Sequence, residues 1–231
     1  MGWRRAAVVG ASGGIGHALC EHLEERGCLV HRLSRSGEGH MHIDITVEAT
    51  IEAAAQALRA EGPLDLVIVA SGYLHQEGRG PEKDWRHVTA EELARSFSIN
   101  AMGPALVAKH FLPLLPDEGR AAFAALSARV GSISDNRLGG WYSYRAGKAA
   151  LNMIIKTFAV ELARKKPHAV CVGLHPGTVD TELSQPFQRN VREGKLFAAE
   201  HAASRLLDVL DDLSADDSGK CFAYDGAEIA P

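Results

Sequence analysis

Tyr144 and Lys148 stand four residues apart in the stretch Trp141-Tyr-Ser-Tyr-Arg-Ala-Gly-Lys148. In a helix that spacing puts both side chains on one face. A phenol with an ordinary pKa of about 10 exchanges protons poorly at neutral pH. An adjacent ammonium favours the phenolate and lowers that pKa, so the pair has the makings of a general acid–base group. Tyr142 has Ala146 at the same offset and lacks the partner. A Tyr-x-x-x-Lys pair alone describes nothing more than a solvated helix face, so its meaning depends on the motifs around it.

The second chemical motif is the glycine run Gly10-Ala-Ser-Gly-Gly-Ile-Gly16. It follows the apolar run Ala6–Gly10 and precedes Ile15, Leu19 and Leu23 at helical spacing. A strand–turn–helix junction of this kind holds a dinucleotide pyrophosphate on free backbone N–H groups at the positive end of the helix dipole. The spacing is G-x-x-x-G-x-G, and the Lys-Ser/Thr ending of a mononucleotide P-loop is missing. After the next strand comes Arg32-Leu-Ser-Arg-Ser36, with no carboxylate before Glu38. An acidic residue there would bind the ribose 2′-hydroxyl of NAD, whereas arginine accommodates the 2′-phosphate of NADP. Ser34 and Arg35 therefore favour NADP, with NAD as the alternative.

These motifs need a scaffold, and the hydrophobic pattern supplies one. Strands are expected at Ala6–Gly10, Cys28–Leu33, Asp65–Ala70, Ala121–Leu126, Ala169–Leu174 and Cys221–Tyr224. Helices follow Gly14, run through Ile51–Leu58, open at Thr89 in a capping box with Glu92, extend from Tyr144 to about Lys165, and cover about Ala198–Leu213. Strand–helix alternation predicts an α/β protein with a parallel sheet covered on both faces. At 231 residues the chain is expected to be one domain, too short for separate dinucleotide and substrate lobes. The net charge of −4 leaves no basic footprint for nucleic acid. No apolar run approaches the roughly 18 residues of a membrane span. Cys20, Cys28, Cys171 and Cys221 are widely spaced and read as reduced core thiols, which predicts a cytoplasmic protein.

The glycine turn, Asn100, the Tyr144–Lys148 pair and His175-Pro-Gly177 occur in the order of the short-chain dehydrogenase/reductase family, which the chain resembles over essentially its whole length. Leu126-Ser-Ala-Arg-Val-Gly-Ser-Ile-Ser-Asp-Asn136, Gly139-Gly-Trp-Tyr-Ser-Tyr144 and Tyr224-Asp-Gly226 are most similar to its C-factor-like and sniffer-like carbonyl reductases. The resemblance implies a single-domain Rossmann fold, a doubly wound parallel sheet, and hydride transfer between NADP(H) and a carbonyl or alcohol carbon. It implies that Tyr144 is the general acid/base, that Lys148 assists it and holds the nicotinamide ribose, and that Asn100 positions a water relay to Lys148. The cofactor would be lined by Gly10, Ser12, Gly13, Gly14, Ile15, Gly16, Ser34, Arg35, Asp44, Ile45, Ala70, Ser71 and Gly72. Asp44 would meet the adenine edge. Asn100, Tyr144 and Lys148 would join the lining, and Pro176, Gly177, Val179 and Thr181 would flank the nicotinamide. Residues 178–200 would form an apolar substrate lid carrying Leu183, Pro186, Phe187 and Phe197. With Trp141 and Tyr73, these hint at small hydrophobic or aromatic carbonyl substrates. A homodimer or homotetramer is implied through the helices bearing Asn100 and Tyr144, where Ala146, Gly147, Ala149, Ala150 and Ala159 would permit close approach.

Three positions depart from the family pattern. Val69-Ala-Ser-Gly72 replaces the Asn-Asn-Ala-Gly stretch whose amides brace the sheet, and Gly147 replaces the serine before the lysine. The substrate-binding serine falls on Ala128, which leaves Ser127 or Ser132 to supply the hydroxyl. Ser127 is a strand neighbour that points to the opposite face unless the strand end is irregular. A non-catalytic or weakly catalytic NAD(P)-binding signalling protein is therefore a second reading, and a sugar epimerase-like member a remoter one. His40, His42 and Asp44 lack a further nearby metal ligand and read as a solvated segment, with no metal expected. His175 reads as strand-terminal, the acidic residues Glu200 to Asp217 as a solvated face, and Phe111–Leu115 as packing inside or against another subunit.

Overall fold

The computed structural model describes residues 2–76 and 80–231. Strands β1 (Arg5–Val9), β2 (Leu29–Leu33), β3 (Leu66–Val69), β4 (Ala121–Leu126) and β5 (Ala169–His175) alternate with helices α1 (Gly14–Glu25), α2 (Glu48–Arg59), α3 (Ala90–Phe97), α4 (Gly103–Phe111) and α5 (Tyr142–Lys165). A short pair β6 (Thr178–Val179) and β7 (Leu196–Phe197), helix α6 (Ala199–Asp212) and strands β8 (Cys221–Ala223) and β9 (Glu228–Ile229) follow. The main sheet has the order β2-β1-β3-β4-β5-β8-β9 and is parallel except for the β8–β9 pair. Chain order reverses beside β1, which opens a crevice at the carboxyl ends of the strands.

Strand alternation divides the core in two. Ala7, Val9, Val67, Val69, Phe123 and Ala125 point toward α2, α4 and α5. Val8, Ile68, Ala124, Leu126 and Val172 point toward α1 and α6. Strands buried on both faces need continuous apolar runs, and Leu66–Val69 and Ala121–Leu126 are buried at every residue.

The architecture matches the sequence expectation, with boundaries shifted by a residue or two. The antiparallel strand β9 was not anticipated, because a two-residue strand carries no periodicity. Between α3 and α4 the backbone opens into a π turn at Ser98–Met102, where a single helix pattern would run on. Phe111, Leu114 and Leu115 pack inside the chain. The acidic face is partly employed: Asp208 and Asp211 pair with Arg26 of α1, and Asp211 also with Arg120. All four cysteines are buried and free. Of the small residues proposed for helix contacts between copies, Gly147 and Ala159 pack within the chain, while Met102, Met153 and Val160 are exposed. Among the described residues, no helix is long and apolar enough to cross a membrane.

Candidate active site

Lys148 lies one helical turn beyond Tyr144 on α5, with its Nζ 5.7 Å from the centre of the Tyr144 ring. The lysine is almost wholly buried and donates to the Leu126 carbonyl at the end of β4 (2.7 Å). Gly131 lets this approach happen, since a Cβ there would sit 2.8 Å from that of Lys148. Burial pulls the Lys148 pKa down to about 8 and pushes that of the half-buried Tyr144 up to about 12. In this geometry desolvation outweighs the expected lowering of the phenol by the ammonium.

Asn100 sits in the π turn, fully buried. Its Oδ1 accepts from the Tyr73 N–H (3.0 Å), and its Nδ2 donates to the Tyr73 carbonyl (2.7 Å) and to Ser96 Oγ (3.1 Å). Ser96 Oγ in turn donates to the Ser143 carbonyl (2.7 Å). One amide thus braces the segment after β3, where the Asn-Asn pair is missing. Gly72 faces both groups: a Cβ there would lie 3.7 Å from Asn100 Oδ1 and 3.8 Å from Lys148 Nζ. A π turn sits well at such a place, because the extra residue re-aims a side chain that regular helix would turn away. Gly147 has the same logic, since a Cβ would meet Ser96 Oγ at 2.9 Å and Asn100 Cβ at 3.3 Å. The missing side chain therefore lets α5 close on the π turn.

The start of α5 is held by residues that sequence reasoning missed. Gly139, Gly140 and Trp141 are all left-handed, and Trp141 (φ 53°) is the one non-glycine with positive φ among the described residues. The buried Glu82 carboxylate accepts from the Ser143 N–H and hydroxyl, and its carbonyl accepts from the Trp141 N–H. An acid at a helix N-terminus satisfies free N–H groups and complements the dipole. Trp141 then packs against Tyr144 (6.3 Å between ring centres) and Phe187 (5.2 Å), and Phe187 against His75 (5.5 Å). His75 donates to the Leu183 carbonyl. Nothing local to Glu82 or His75 in the sequence marks these contacts, which join segments far apart in the chain.

Neither candidate hydroxyl is free. Ser127 continues the strand ladder through its N–H to the Leu174 carbonyl, so its side chain faces α5 and donates to Asn152 Oδ1 (2.6 Å). Ser132 Oγ accepts from the Asp135 N–H (3.1 Å) and lies near Ser134 Oγ and the Pro231 carbonyl.

The glycine turn has the form of a phosphate cradle. Gly10 has φ 91°, and a Cβ on it would strike the Ser71 backbone nitrogen at 2.8 Å. A Cβ on Gly16 would strike the Gly10 carbonyl at 2.1 Å, and one on Gly14 would meet Thr181 Cγ2 at 2.9 Å. Helix α1 starts after Gly13 with no side-chain cap and no acid in its first turn, while Ser12, Gly13 and Gly14 are exposed. Its first N–H groups therefore suit an anion. Ile15 is half-buried against the core. A cavity of about 610 Å³ is lined by Arg35, Asp44, Thr46, Tyr73, Arg95 and Ile99. Arg35 is exposed beside Asp44, whose carboxylate is held below its ordinary pKa chiefly by the Thr46 hydroxyl and N–H. Arg32 is instead locked to Glu21 and Glu24 of α1. Ser34 is buried and bonds Ser36 Oγ, so its hydroxyl shapes the loop rather than facing outward. Ile45 is buried against Gly103. Ala70, Pro176, Gly177 (φ 78°) and Thr181 are half-buried and Val179 is buried. The larger cavity, about 760 Å³ around Asp117, Arg120 and His168, lies at the opposite end of the sheet from these groups.

A glycine turn shaped to take a phosphate, a buried lysine beside a tyrosine, and an amide from a π turn thus converge at the carboxyl ends of the strands. Residues 4–192 match the family model described as short chain dehydrogenase. A 1-hydroxy-2-glutathionyl-2-methyl-3-butene dehydrogenase of Rhodococcus sp. (strain AD45) is 32% identical over 229 residues, covering 95% of this chain and 96% of the relative. C-signal of Myxococcus xanthus is 36% identical over 139 residues, covering 60% of this chain and 78% of the relative. Among solved structures, NADPH-bound carbonyl reductase from chicken fatty liver superposes with a TM-score of 0.84 at 25% identity, covering 100% of this chain and 95% of that one.

Proposed function

The chain belongs to the short-chain dehydrogenase family, and from that membership we propose that it is an NADP(H)-dependent carbonyl reductase working through Tyr144 and Lys148. When bound, NADPH supplies the hydride. Gly10 to Gly16 would hold its pyrophosphate, Arg35 its 2′-phosphate, Asp44 and Ile45 its adenine, and the Pro176–Thr181 segment its nicotinamide end. The similarity to an NADPH-bound carbonyl reductase supports that choice of dinucleotide.

In the reduction, Tyr144 donates its phenolic proton to the carbonyl oxygen as that oxygen gains charge. Lys148 stabilises the resulting phenolate, and its buried ammonium is fixed by the Leu126 carbonyl. Asn100 holds the segment after β3 against α5, with its own backbone opened by the π turn. The observation that carries this reading is the meeting of Asn100 and Lys148 at Gly72, beside the uncapped start of α1. NADPH consumption across a panel of aldehydes and ketones tests it, with a glutathione-conjugated alcohol run in the oxidative direction because a relative bears that name. Tyr144→Phe is expected to lower kcat by at least about 100-fold while leaving NADPH binding intact. Undiminished turnover by that variant would refute the mechanism.

A second reading is favoured by Ala128 and by the engagement of Ser127 and Ser132 elsewhere. The chain would then bind NADP(H) as a signalling or regulatory protein, as the similarity to C-signal suggests. NADPH binding with no oxidation across the whole panel would select it.

A further inference from the structure

Tyr144 is held by ring contacts rather than by its hydroxyl. Its ring centre lies 6.3 Å from that of Trp141 and 5.7 Å from the Lys148 Nζ. Among the described residues no hydrogen bond fixes the phenolic oxygen. The tyrosine is the third residue of α5, in the first turn, where a helix has free N–H groups and frays most easily. Whatever holds that turn therefore decides where the hydroxyl lies.

The residue before Tyr144 is fastened at all three of its polar groups. Ser143 is buried, its N–H and hydroxyl both donate to the Glu82 carboxylate, and its carbonyl accepts from Ser96 Oγ (2.7 Å). Ser96 Oγ also accepts from Asn100 Nδ2 (3.1 Å), and the Asn100 amide goes on to Tyr73. A continuous chain of bonds thus runs from Glu82 through Ser143 and Ser96 to Asn100, and it ends at Gly72, beside the Lys148 ammonium. Glu82 is buried as well, and among the described residues its carboxylate bonds Ser143 alone. A buried carboxylate is costly unless its oxygens are satisfied, so this one is tied to the start of α5. The same segment seats the backbone ahead of the helix. The Glu82 carbonyl accepts from the Trp141 N–H, and a Cβ on Gly140 would lie 3.4 Å from the carbonyl oxygens of Glu82 and Lys83.

We propose that Glu82 is a positioning residue for Tyr144: by binding Ser143 it fixes the first turn of α5, and with it the reach of the phenolic hydroxyl toward the substrate oxygen. The inference rests on the reading of Tyr144 as the acid. Proton donation needs the hydroxyl within hydrogen-bond reach of the carbonyl oxygen as charge develops there. A displacement of about 1 Å costs on the order of 100-fold in rate. The groups proposed to hold the dinucleotide belong to other segments, so the loss falls on the chemical step.

The test is the single-turnover rate of NADPH oxidation with a saturating aromatic aldehyde that the wild type reduces, alongside aldehyde KM and NADPH affinity by fluorescence. Glu82→Ala is expected to slow that step about 100-fold, with KM and NADPH affinity within about twofold of wild type. Glu82→Gln keeps an acceptor oxygen for Ser143 and is expected to recover at least about tenfold of the loss. Ser143→Ala, which removes the hydroxyl and keeps the N–H, is expected to slow the step about tenfold, and to slow it no further when added to Glu82→Ala. A carboxylate that merely stabilised the fold would lower Tm and leave the folded variant within about threefold of the wild-type rate, which overturns the proposal. So does a loss shared by aldehyde KM and NADPH affinity, or one that Glu82→Gln does not restore. Where Glu82→Ala does not fold, Ser143→Ala carries the test, and a rate within about twofold of wild type overturns the proposal. A wild type that oxidises no NADPH with any carbonyl, or a Tyr144→Phe variant at full rate, overturns the acid reading and this one together. An active wild type slowed by Tyr144→Phe but not by Glu82→Ala overturns the role of Glu82 alone.

Discussion

The Lys148 ammonium is enclosed between α5 and the end of β4, with the Leu126 carbonyl as its acceptor and a pKa drawn down to about 8 by burial. Tyr144, pushed up to about 12, keeps its proton across the same range. In the proposed mechanism, carbonyl reduction needs the phenol protonated and the lysine charged. The first condition holds throughout the neutral and mildly alkaline range, and the second is lost as pH rises through about 8. The kcat/KM for reduction is therefore expected to be level between about pH 6.5 and 7.5 and to fall about tenfold per unit well above pH 8. A pH–rate profile checks this, and a flat profile to pH 10 would contradict it.

Among the elements, α5 carries Tyr144 and Lys148, the pair proposed for the chemistry, and its neighbours set its position. Glu82 accepts from the Ser143 N–H in its first turn, the left-handed run Gly139–Trp141 aims its start, and Gly147 lets it close on Ser96 and Asn100. Gly147→Ala separates helix propensity from packing. Alanine favours a helix interior by about 1 kcal/mol, but the added methyl group would meet Ser96 Oγ, which already donates to the Ser143 carbonyl and accepts from Asn100. Overpacking of this kind costs about 1–3 kcal/mol. A net loss of about 1 kcal/mol is expected, or a Tm lower by about 2–4 °C. A melting temperature at or above that of wild type would show that the contact yields freely.

Across the whole molecule, the crevice proposed for the cofactor runs from the start of α1 to the cavity at Arg35 and Asp44, beside the sheet's reversal point. A ligand that binds only the folded state raises its melting temperature according to affinity. With Arg32 occupied by Glu21 and Glu24, Arg35 is the arginine of that loop left for a 2′-phosphate. NADPH is expected to raise Tm more than NADH at equal concentration, and Arg35→Asp to erase or reverse the difference. Equal shifts in the wild type, by differential scanning fluorimetry, would contradict the assignment.

The alternation of apolar runs and helical spacings was enough to establish the parallel sheet, because strands buried on both faces require continuous hydrophobicity. The glycine turn and the Tyr144–Lys148 offset were likewise legible, since each depends on neighbours within a few residues. Other features arise only when distant segments meet. Glu82 reaches Ser143, Asn100 spans to Tyr73, and His175 comes to lie beside Ser127 through strand pairing. The bond from Ser127 to Asn152 belongs to the same class, and it engages one of the two hydroxyls that the sequence left as candidates. Local spacing could name Tyr144 and Lys148 as the candidate acid and its lysine. Which polar groups remain unpaired to meet a substrate was decided by tertiary packing, because a side chain is committed only once its partners have been brought to it.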